Sequence, residues 1–232
     1  MNKLVLILVL CLVFFIGCGN RSSTKKSPVA VNGTLDLRNW DFEKDGITML
    51  NGDWEIYWNQ FILPDNFSSL DFSKQVGYTY VPTIWDNYEF LGSKVGGIGY
   101  ATYRLKINLR STDQMLALKL LSFSTAHQLW INGRLCASAG SVGKSRKEMT
   151  AKYLPQVVIF EPDSNQLDIV IHVSNFFHRN GGIWTELELG TEQQILKKRN
   201  RTIAIDLFII GGLFIMALYH FGLFLLRRSD RS

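Results

Sequence analysis

The stretch Thr102–Arg110, TYRLKINLR, decides the fold class of this chain. Apolar and polar residues alternate along it, and the apolar set is Tyr103, Leu105, Ile107 and Leu109. Successive side chains of an extended strand point to opposite faces, so one face of this strand is predicted to be buried and the other solvated. This arrangement is typical of an antiparallel sheet that covers a hydrophobic core with one face.

Short runs on both sides of this stretch predict further strands. Asn132-Gly133 separates two of them, and an Asn-Gly pair supplies the positive φ angles of a two-residue hairpin turn. The predicted strands are Asp53–Trp58, Met115–Leu121, His127–Ile131, Arg134–Ala137, Val157–Phe160, Leu167–Val173 and Trp184–Leu189. Many short strands without crossover helices predict an all-β sandwich, specifically a jelly roll, over residues 31–190.

The apolar stretch Ile203–Leu226, IAIDLFIIGGLFIMALYHFGLFLL, predicts a C-terminal transmembrane helix. About 20 apolar residues at 1.5 Å per residue cross the hydrocarbon core, and only Asp206 and His220 are titratable within this stretch. The buried helix of a soluble protein is the alternative, but such helices are rarely apolar on every face. Residues 227–232 are then predicted to form a short cytoplasmic tail.

The residues between the sandwich and the span predict a juxtamembrane helix over 191–202. Thr191 can cap it, Glu192 lies in its first turn, and four cations lie toward its end, which suits the helix dipole. We expect this helix to run on into the transmembrane helix.

The N-terminus predicts export. A basic start is followed by the apolar run Leu4–Ile16, which is too short to span a membrane, so residues 1–18 are predicted to form a secretory signal peptide. Its end, Phe15-Ile16-Gly17-Cys18, resembles a bacterial lipoprotein box, which would make Cys18 a lipidation site. The alternative is a plain signal peptide cleaved near Gly19. Residues 19–30 are polar and predict a flexible tether.

The formal charge of +5 belongs to the ends of the chain. Residues 1–30 contain four cations and no carboxylate, and residues 197–232 contain seven cations and two carboxylates. The remaining 14 cations and 18 carboxylates give residues 31–196 a net charge of −4. The basic segments therefore suit anionic lipid headgroups beside a membrane, and nucleic acid is not the predicted partner.

Cysteine and histidine usage indicates neither a disulfide nor a metal site. Cys11 belongs to the predicted signal peptide, which leaves Cys136 alone in the sandwich without an intradomain partner. The four histidines are scattered and show no zinc-ligand spacing; they are His127, His172, His178 and His220. No cofactor is predicted.

Five short motifs occur in an order that resembles a known family. They are Leu50–Trp54, Val81–Trp85, Tyr100–Arg104, Trp130–Gly133 and Val173–Asn175. Together they resemble the galactose-binding-like jelly roll that forms the sugar-binding domain of β-galactosidase-type glycosidases. The order of jelly roll, helix and membrane span is more similar still to the extracellular domain of bacterial seven-transmembrane receptors with diverse intracellular signalling modules.

The resemblance implies a sensory domain outside the cytoplasm, periplasmic or at the cell surface, that is tethered to the cell membrane. Such receptors continue into six more helices and a signalling module, whereas the given sequence ends soon after one helix. The resemblance therefore implies a shortened or split receptor that works with a partner chain. Asp206, His220 and the glycines Gly211, Gly212 and Gly222 favour a helix that packs against other helices.

A carbohydrate or another small polar ligand is the predicted ligand of the sandwich. Sugar recognition needs an aromatic face for the apolar side of the ring and planar polar groups for its hydroxyls. Two stretches offer both, and the predicted ligand-binding residues are Trp85 and Asn87 in the first and Asn175, His178, Arg179 and Trp184 in the second. The alternative for Trp85 and Trp184 is core packing, and for Asn175 it is hydrogen bonding to the backbone.

The sequence also bears on three other possibilities: catalysis, a structural calcium site and a non-signalling role. A glycosidase needs two carboxylates across a cleft, and only the non-catalytic sugar-binding domain of that class is resembled, so the chain is predicted not to be an enzyme. Jelly rolls of this type often hold a structural calcium, for which Asp36, Asp41 and Asp163 are candidates without a calcium-loop motif. The competing class is a non-signalling surface lipoprotein, an adhesin or assembly module that uses the sandwich for protein contacts.

Overall fold

The computed structural model describes residues 25–69, 76–90, 92–121, 123 and 125–229. Its strands form two sheets that pack face to face, and one long helix follows them, which confirms the predicted all-β sandwich with a C-terminal helix. The predicted signal peptide, with the lipidation candidate Cys18, lies outside the described residues.

The sandwich contains thirteen short strands among the described residues. They are β1 (Thr34–Leu37), β2 (Thr48–Met49), β3 (Gly52–Trp58), β4 (Gly77–Val81), β5 (Glu89–Phe90), β6 (Ser93–Lys94), β7 (Gly99–Leu109), β8 (Leu116–Leu120), β9 (Ala126–Ile131), β10 (Arg134–Ala139), β11 (Gln156–Phe160), β12 (Gln166–Asn175) and β13 (Glu188–Thr191). One helical turn, Phe42–Asp45, and two 3₁₀ turns, Pro64–Ser68 and Trp85–Asn87, lie between them.

Eleven of the thirteen strands pair into a larger and a smaller sheet. The larger sheet has the order β10-β9-β12-β7-β3-β4, and β1 pairs with β7 in parallel beside β3. The smaller sheet has the order β11-β8-β13-β2, and β5 and β6 form a separate hairpin. Consecutive strands often belong to different sheets, as expected of a jelly roll.

The central strand β7 confirms the predicted alternation. Its odd-numbered residues from Ala101 to Leu109 are at most 3% exposed and pack against apolar residues of the smaller sheet, such as Leu118 and Leu189. On its other face, Arg104 and Thr102 are covered by residues 59–69. That segment adds a second apolar cluster, consisting of Tyr57, Ile62, Phe67, Trp130 and Val170.

The predicted hairpin turn is also present. Asn132 and Gly133 have φ angles of 47° and 79°, and Arg134 pairs with Ile131 across the turn. The positive φ angles are the reason for this residue pair at the tip, because asparagine and glycine adopt them at the least cost.

The sandwich has two distinct ends. Strand β7 runs toward the C-terminal helix: six residues after Leu109 lead into β8, whose first residue Leu116 pairs with Thr191 directly before the helix. We call this the proximal end. The opposite end, where β7 begins and Gly99 pairs with Asn175, is the distal end.

One predicted strand differs from the observed one. The structure has a strand at Glu188–Thr191 instead of Trp184–Leu189. Residues 181–183 form backbone hydrogen bonds with Thr83 and Trp85 outside the ladder of the smaller sheet, so the chain joins that sheet only at Glu188. The last residues of the predicted tether also lie against the sandwich, since Ala30 is 1% exposed and its backbone bonds Asn51 and Asp53.

A single helix, Glu192–Ser229, follows the sandwich without interruption. Over Glu192–Arg227 it is long and apolar enough to cross a membrane by length and composition, and it is the one such helix among the described residues. Its apolar part is exposed instead of packed on the sandwich, unlike the core helix of a soluble protein.

Candidate functional site

The stretch 175–184, which we call the ligand loop, begins at the distal end of β12. Asn175 is fully buried there and all of its amide atoms are bonded. Its Nδ2 donates to the carbonyl oxygens of Gly97 at 2.6 Å and His178 at 2.7 Å. Its Oδ1 accepts from the His178 backbone N–H at 3.0 Å and from the Thr125 hydroxyl at 3.3 Å. Asn175 therefore fixes the loop from below.

Three other predicted residues of the ligand loop lie at its surface. His178, Arg179 and Trp184 are exposed, Trp184 by 39%. The rings of His178 and Trp184 lie 5.2 Å apart between centroids, tilted by 57°. Within the described part of the chain, the Arg179 guanidinium has no hydrogen bond or ion pair. The loop thus brings an aromatic pair and a free planar cation to one surface.

The His178 ring is held by its own loop. Its Nδ1 lies 2.9 Å from the Asn180 carbonyl oxygen and 3.1 Å from the Asn180 backbone nitrogen. His178 is exposed, and no described residue forms a hydrogen bond with its Nε2. The ring therefore has a fixed orientation and one polar atom available to a ligand.

Trp85 belongs to the core beneath the ligand loop. It is fully buried, its indole N–H donates to the Tyr103 hydroxyl at 2.6 Å, and its ring meets that of Trp58 edge-on at 4.8 Å. Burial raises the pKa of the Tyr103 hydroxyl well above its usual range, so this acceptor stays a neutral phenol. Gly181 lies on the Trp85 ring so closely that a Cβ there would be 2.1 Å from it.

The two predicted binding stretches lie side by side. Thr83 N–H donates to the Ile183 carbonyl at 2.8 Å, and Trp85 N–H donates to the Gly181 carbonyl at 3.0 Å. Asn87 is exposed at the edge of this pair and makes one long contact, 3.4 Å, to the Thr83 hydroxyl. The structure therefore joins both stretches, with Trp85 and Asn175 as the buried base.

Two further residues of this surface, one in the ligand loop and one beside it, were not predicted from the sequence. Phe177 is 50% exposed, and the guanidinium of Arg146, from the loop before β11, lies 4.8 Å above its ring. The approach of segment 140–155 to this loop depends on the pairing of β9 with β12, which no local pattern encodes. The run of cations in that segment is the sequence feature that could have indicated its part in this surface.

A polar cleft of about 590 Å³ lies elsewhere, on the outer face of the larger sheet toward the proximal end. Its lining includes Arg104, Lys106 and Asp168, together with Asn132 and Gln166. Arg104 donates to both carboxylate oxygens of Asp168, at 2.9 and 2.7 Å, so these two charges neutralise each other. None of the predicted ligand-binding residues lines this cleft.

The root of the C-terminal helix is bound to the smaller sheet. Glu188 on β13 is 7% exposed and accepts from Lys119 at 3.0 Å and from Lys198 of the helix at 2.6 Å. Burial raises the pKa of Glu188, but the hydrogen bonds from the two lysines outweigh it and hold the pKa below its ordinary value. The ionised carboxylate therefore links sheet and helix.

The first turn of the helix is capped reciprocally. Gln194 N–H donates to the Thr191 hydroxyl at 3.3 Å, and Thr191 N–H donates to the Gln194 side-chain oxygen at 3.1 Å. The Gln194 amide also donates to the Phe42 carbonyl at 2.5 Å, and Ile195 is fully buried. The capping box satisfies two otherwise free N–H groups and fixes the direction in which the helix leaves the sandwich.

Comparisons with known proteins give partial structural similarities. No family model matches the chain, and no curated protein is similar to it in sequence. A β-glucuronidase from an uncultured Clostridium species matches 62% of this chain with a TM-score of 0.45 and 17% identity. A GH2 β-galacturonidase from Eisenbergiella tayi, bound to galacturonate, matches 62% of this chain with a TM-score of 0.42 and 15% identity. A β-glucuronidase from Ruminococcus gnavus matches 62% of this chain with a TM-score of 0.44 and 12% identity.

The match covers 28%, 24% and 28% of these three structures, so the chain spans less than a third of their length. At such values the similarity assigns neither a family nor a ligand to this chain. The matched proteins are glycosidases by their names. The resemblance to seven-transmembrane receptors stays a prediction.

Proposed function

We propose that the chain is a membrane-anchored, non-catalytic binding protein whose distal end takes up a carbohydrate or another small polar ligand. The observation that carries the proposal is the surface formed by His178, Arg179 and Trp184. A partly exposed indole lies 5.2 Å from an imidazole, and an unpaired guanidinium follows His178 in the same loop. An aromatic face and planar donors are the groups that a sugar ring requires.

The base of the ligand loop supports this proposal. The amide of Asn175 makes its contacts within the protein, and Gly181 rests on the buried ring of Trp85. A loop fixed in this way loses little conformational freedom when a ligand binds, so less of the interaction free energy is spent on ordering it. Asn175 and Trp85 thus contribute by positioning the loop, and the exposed side chains contact the ligand.

The proposal includes a sensory role for the C-terminal helix. The sandwich is exported, Ile203–Leu226 crosses the cell membrane, and residues 227–232 enter the cytoplasm. The capping box of Thr191 and Gln194 and the ion pair of Glu188 with Lys198 support this role, because they leave no loose linker between sheet and helix. A rearrangement of the sandwich on binding is passed to the helix, and a partner chain with further transmembrane helices and a signalling module receives it.

A thermal-shift screen tests the binding function. The full chain in detergent micelles is heated with a panel of monosaccharides, oligosaccharides and amino acids, and tryptophan fluorescence reports unfolding. We expect at least one stabilising compound, whose effect is lost in Arg179→Ala and kept in Arg134→Ala, an exposed arginine at the proximal hairpin. No stabilising compound, or stabilisation that Arg179→Ala leaves unchanged, would contradict the proposal.

A further inference from the structure

We infer that the ligand of the distal end is an acidic polysaccharide, a glycan with carboxylate or sulfate groups. This inference names the ligand class of the proposed binding site and rests on that proposed function. It is carried by a cluster of cations that the ligand loop shares with a neighbouring segment.

Residues 140–155, which we call the basic loop, supply most of this charge. Four exposed cations lie in it, namely Lys144, Arg146, Lys147 and Lys152. The ligand loop adds the exposed Arg179, and the one carboxylate of the two loops is Glu148. Glu148 accepts from the backbone N–H of Lys144 at 2.9 Å. Within the described residues, none of the five cations forms an ion pair.

The basic loop has a defined conformation. Ser141 and Thr150 form a β-bridge through two backbone hydrogen bonds of 2.9 and 3.0 Å, and Met149 is 4% exposed beneath it. Gly140 has a φ angle of 68°, and a Cβ there would lie 2.0 Å from the Thr150 carbonyl oxygen. Only glycine permits this close approach, so the fold sets the backbone path along which the cations are placed.

Several contacts join the basic loop to the ligand loop. The N–H of Gly143 donates to the Ser174 hydroxyl at 3.3 Å, and Arg146 lies 4.8 Å above the Phe177 ring. Thr125 bridges the two loops as well, because its carbonyl accepts from Lys152 N–H at 3.0 Å and its hydroxyl bonds Asn175 at 3.3 Å. The cations and the aromatic pair of the ligand loop therefore lie on one continuous distal surface.

The charge of this surface contrasts with that of its domain. Residues 31–196 have a net charge of −4, yet the basic loop and the ligand loop together contain five cations against one carboxylate. Neighbouring like charges repel each other, and a bound anion relieves this repulsion. A positive surface also raises the local concentration and the association rate of anionic ligands. A neutral sugar would use none of these effects.

Two other polyanions fit this surface less well. The C-terminal helix leaves the sandwich at the proximal end, so the two cationic loops lie at the opposite end from the lipid surface that this helix enters. A densely charged nucleic acid would be repelled by the net negative charge of the remaining domain. An acidic glycan combines separated charges with apolar ring faces, which suits the cations together with the exposed Trp184.

The test uses the full chain in nanodiscs of neutral lipid. Polygalacturonate and heparin are the acidic probes, dextran is the neutral probe, and single-stranded DNA and phosphatidylglycerol vesicles are the competing polyanions. The variant is the triple substitution Lys144→Ser, Arg146→Ser, Lys147→Ser. The matched control removes three exposed cations away from the distal end, with Lys26→Ser, Lys106→Ser, Arg134→Ser.

We expect at least one acidic polysaccharide to bind more tightly than dextran, and its affinity to fall as salt is raised above about 0.15 M, where charges are screened beyond about 8 Å. The triple variant should weaken this binding about tenfold, and the control should change it less than about twofold. Equal binding by variant and wild type, or tighter binding of DNA or vesicles, would overturn the inference. Binding of neutral sugars that depends on Arg179 but not on the basic loop would contradict this inference and still support the proposed function.

Discussion

Glu188 Oε2 lies 2.6 Å from Lys198 Nζ, so a strand of the smaller sheet and the second turn of the C-terminal helix form an ion pair where sandwich and helix meet. The same carboxylate bonds Lys119 on β8 at 3.0 Å. One buried charge therefore joins the helix to two adjacent strands. This junction is the physical link that a sensory role of the sandwich requires.

The first prediction concerns this junction. Glu188→Gln removes the charge that holds two lysines, and we expect the free energy of unfolding to fall by about 2 kcal/mol, between the values for surface and fully buried pairs. Urea unfolding in detergent, followed by the fluorescence of the six tryptophans, measures it. Glu161→Gln, an exposed carboxylate at the end of β11, serves as the control and should stay within about 0.5 kcal/mol of wild type. Equal effects of the two substitutions would contradict the structural role of Glu188.

The second prediction concerns the pH dependence of stability. His127 is 1% exposed beside Phe123, and both ring nitrogens lack a hydrogen-bond partner among the described residues. Burial lowers the pKa of His127 from 6.5 to about 4. Between these values the unfolded chain binds the proton and the folded chain does not, so stability falls as the pH falls from about 6.5 to 4.

Through His127 alone, we expect the free energy of unfolding to be about 2 kcal/mol lower at pH 5 than at pH 7. Burial lowers the pKa of His172 as well, which adds a loss of the same sign. Urea midpoints at pH 7 and pH 5 for wild type and His127→Leu measure the share of His127. We expect the leucine variant to lose clearly less stability on acidification. The same pH response in both proteins would show that His127 does not contribute.

The third prediction concerns the base of the ligand loop. Asn175→Ala removes the amide that bonds Gly97, His178 and Thr125, and it leaves buried polar groups without partners. We expect a loss of about 3 kcal/mol in the free energy of unfolding. Asn87→Ala removes one exposed contact of 3.4 Å and should change the stability by less than about 0.5 kcal/mol. If Asn175→Ala changed the free energy of unfolding as little as Asn87→Ala, Asn175 would not be the residue that fixes the loop.

The local parts of the fold were predictable from the sequence because they depend on neighbouring residues. The alternation around Tyr103 predicted a half-buried strand, and Asn132-Gly133 predicted the hairpin turn. The parallel pairing of β1 with β7 and the two-residue strand β2 were not predicted. Both are stabilised by distant partners, and neither is long enough to show a period of its own.

The candidate site was predictable only as a list of residues. Trp85 and Trp184 both follow an isoleucine near loop residues, yet the first is fully buried and the second is 39% exposed. Trp85 is buried among residues distant in the sequence, such as Trp58 and Tyr103, which lies 18 positions away and accepts its indole N–H. The contact of Arg146 with Phe177 depends on strand order in the same way. Burial set by tertiary pairing is not encoded in the local pattern.

The location of the ligand tests the central claim most directly. Hydrogen–deuterium exchange of the full chain in nanodiscs is compared with and without the compound that gives the largest thermal shift. The account predicts slower exchange in residues 175–184 and 140–155, with the backbone around Asp168 in the proximal cleft unchanged. Slower exchange at that cleft, with no change in the two distal loops, would contradict it.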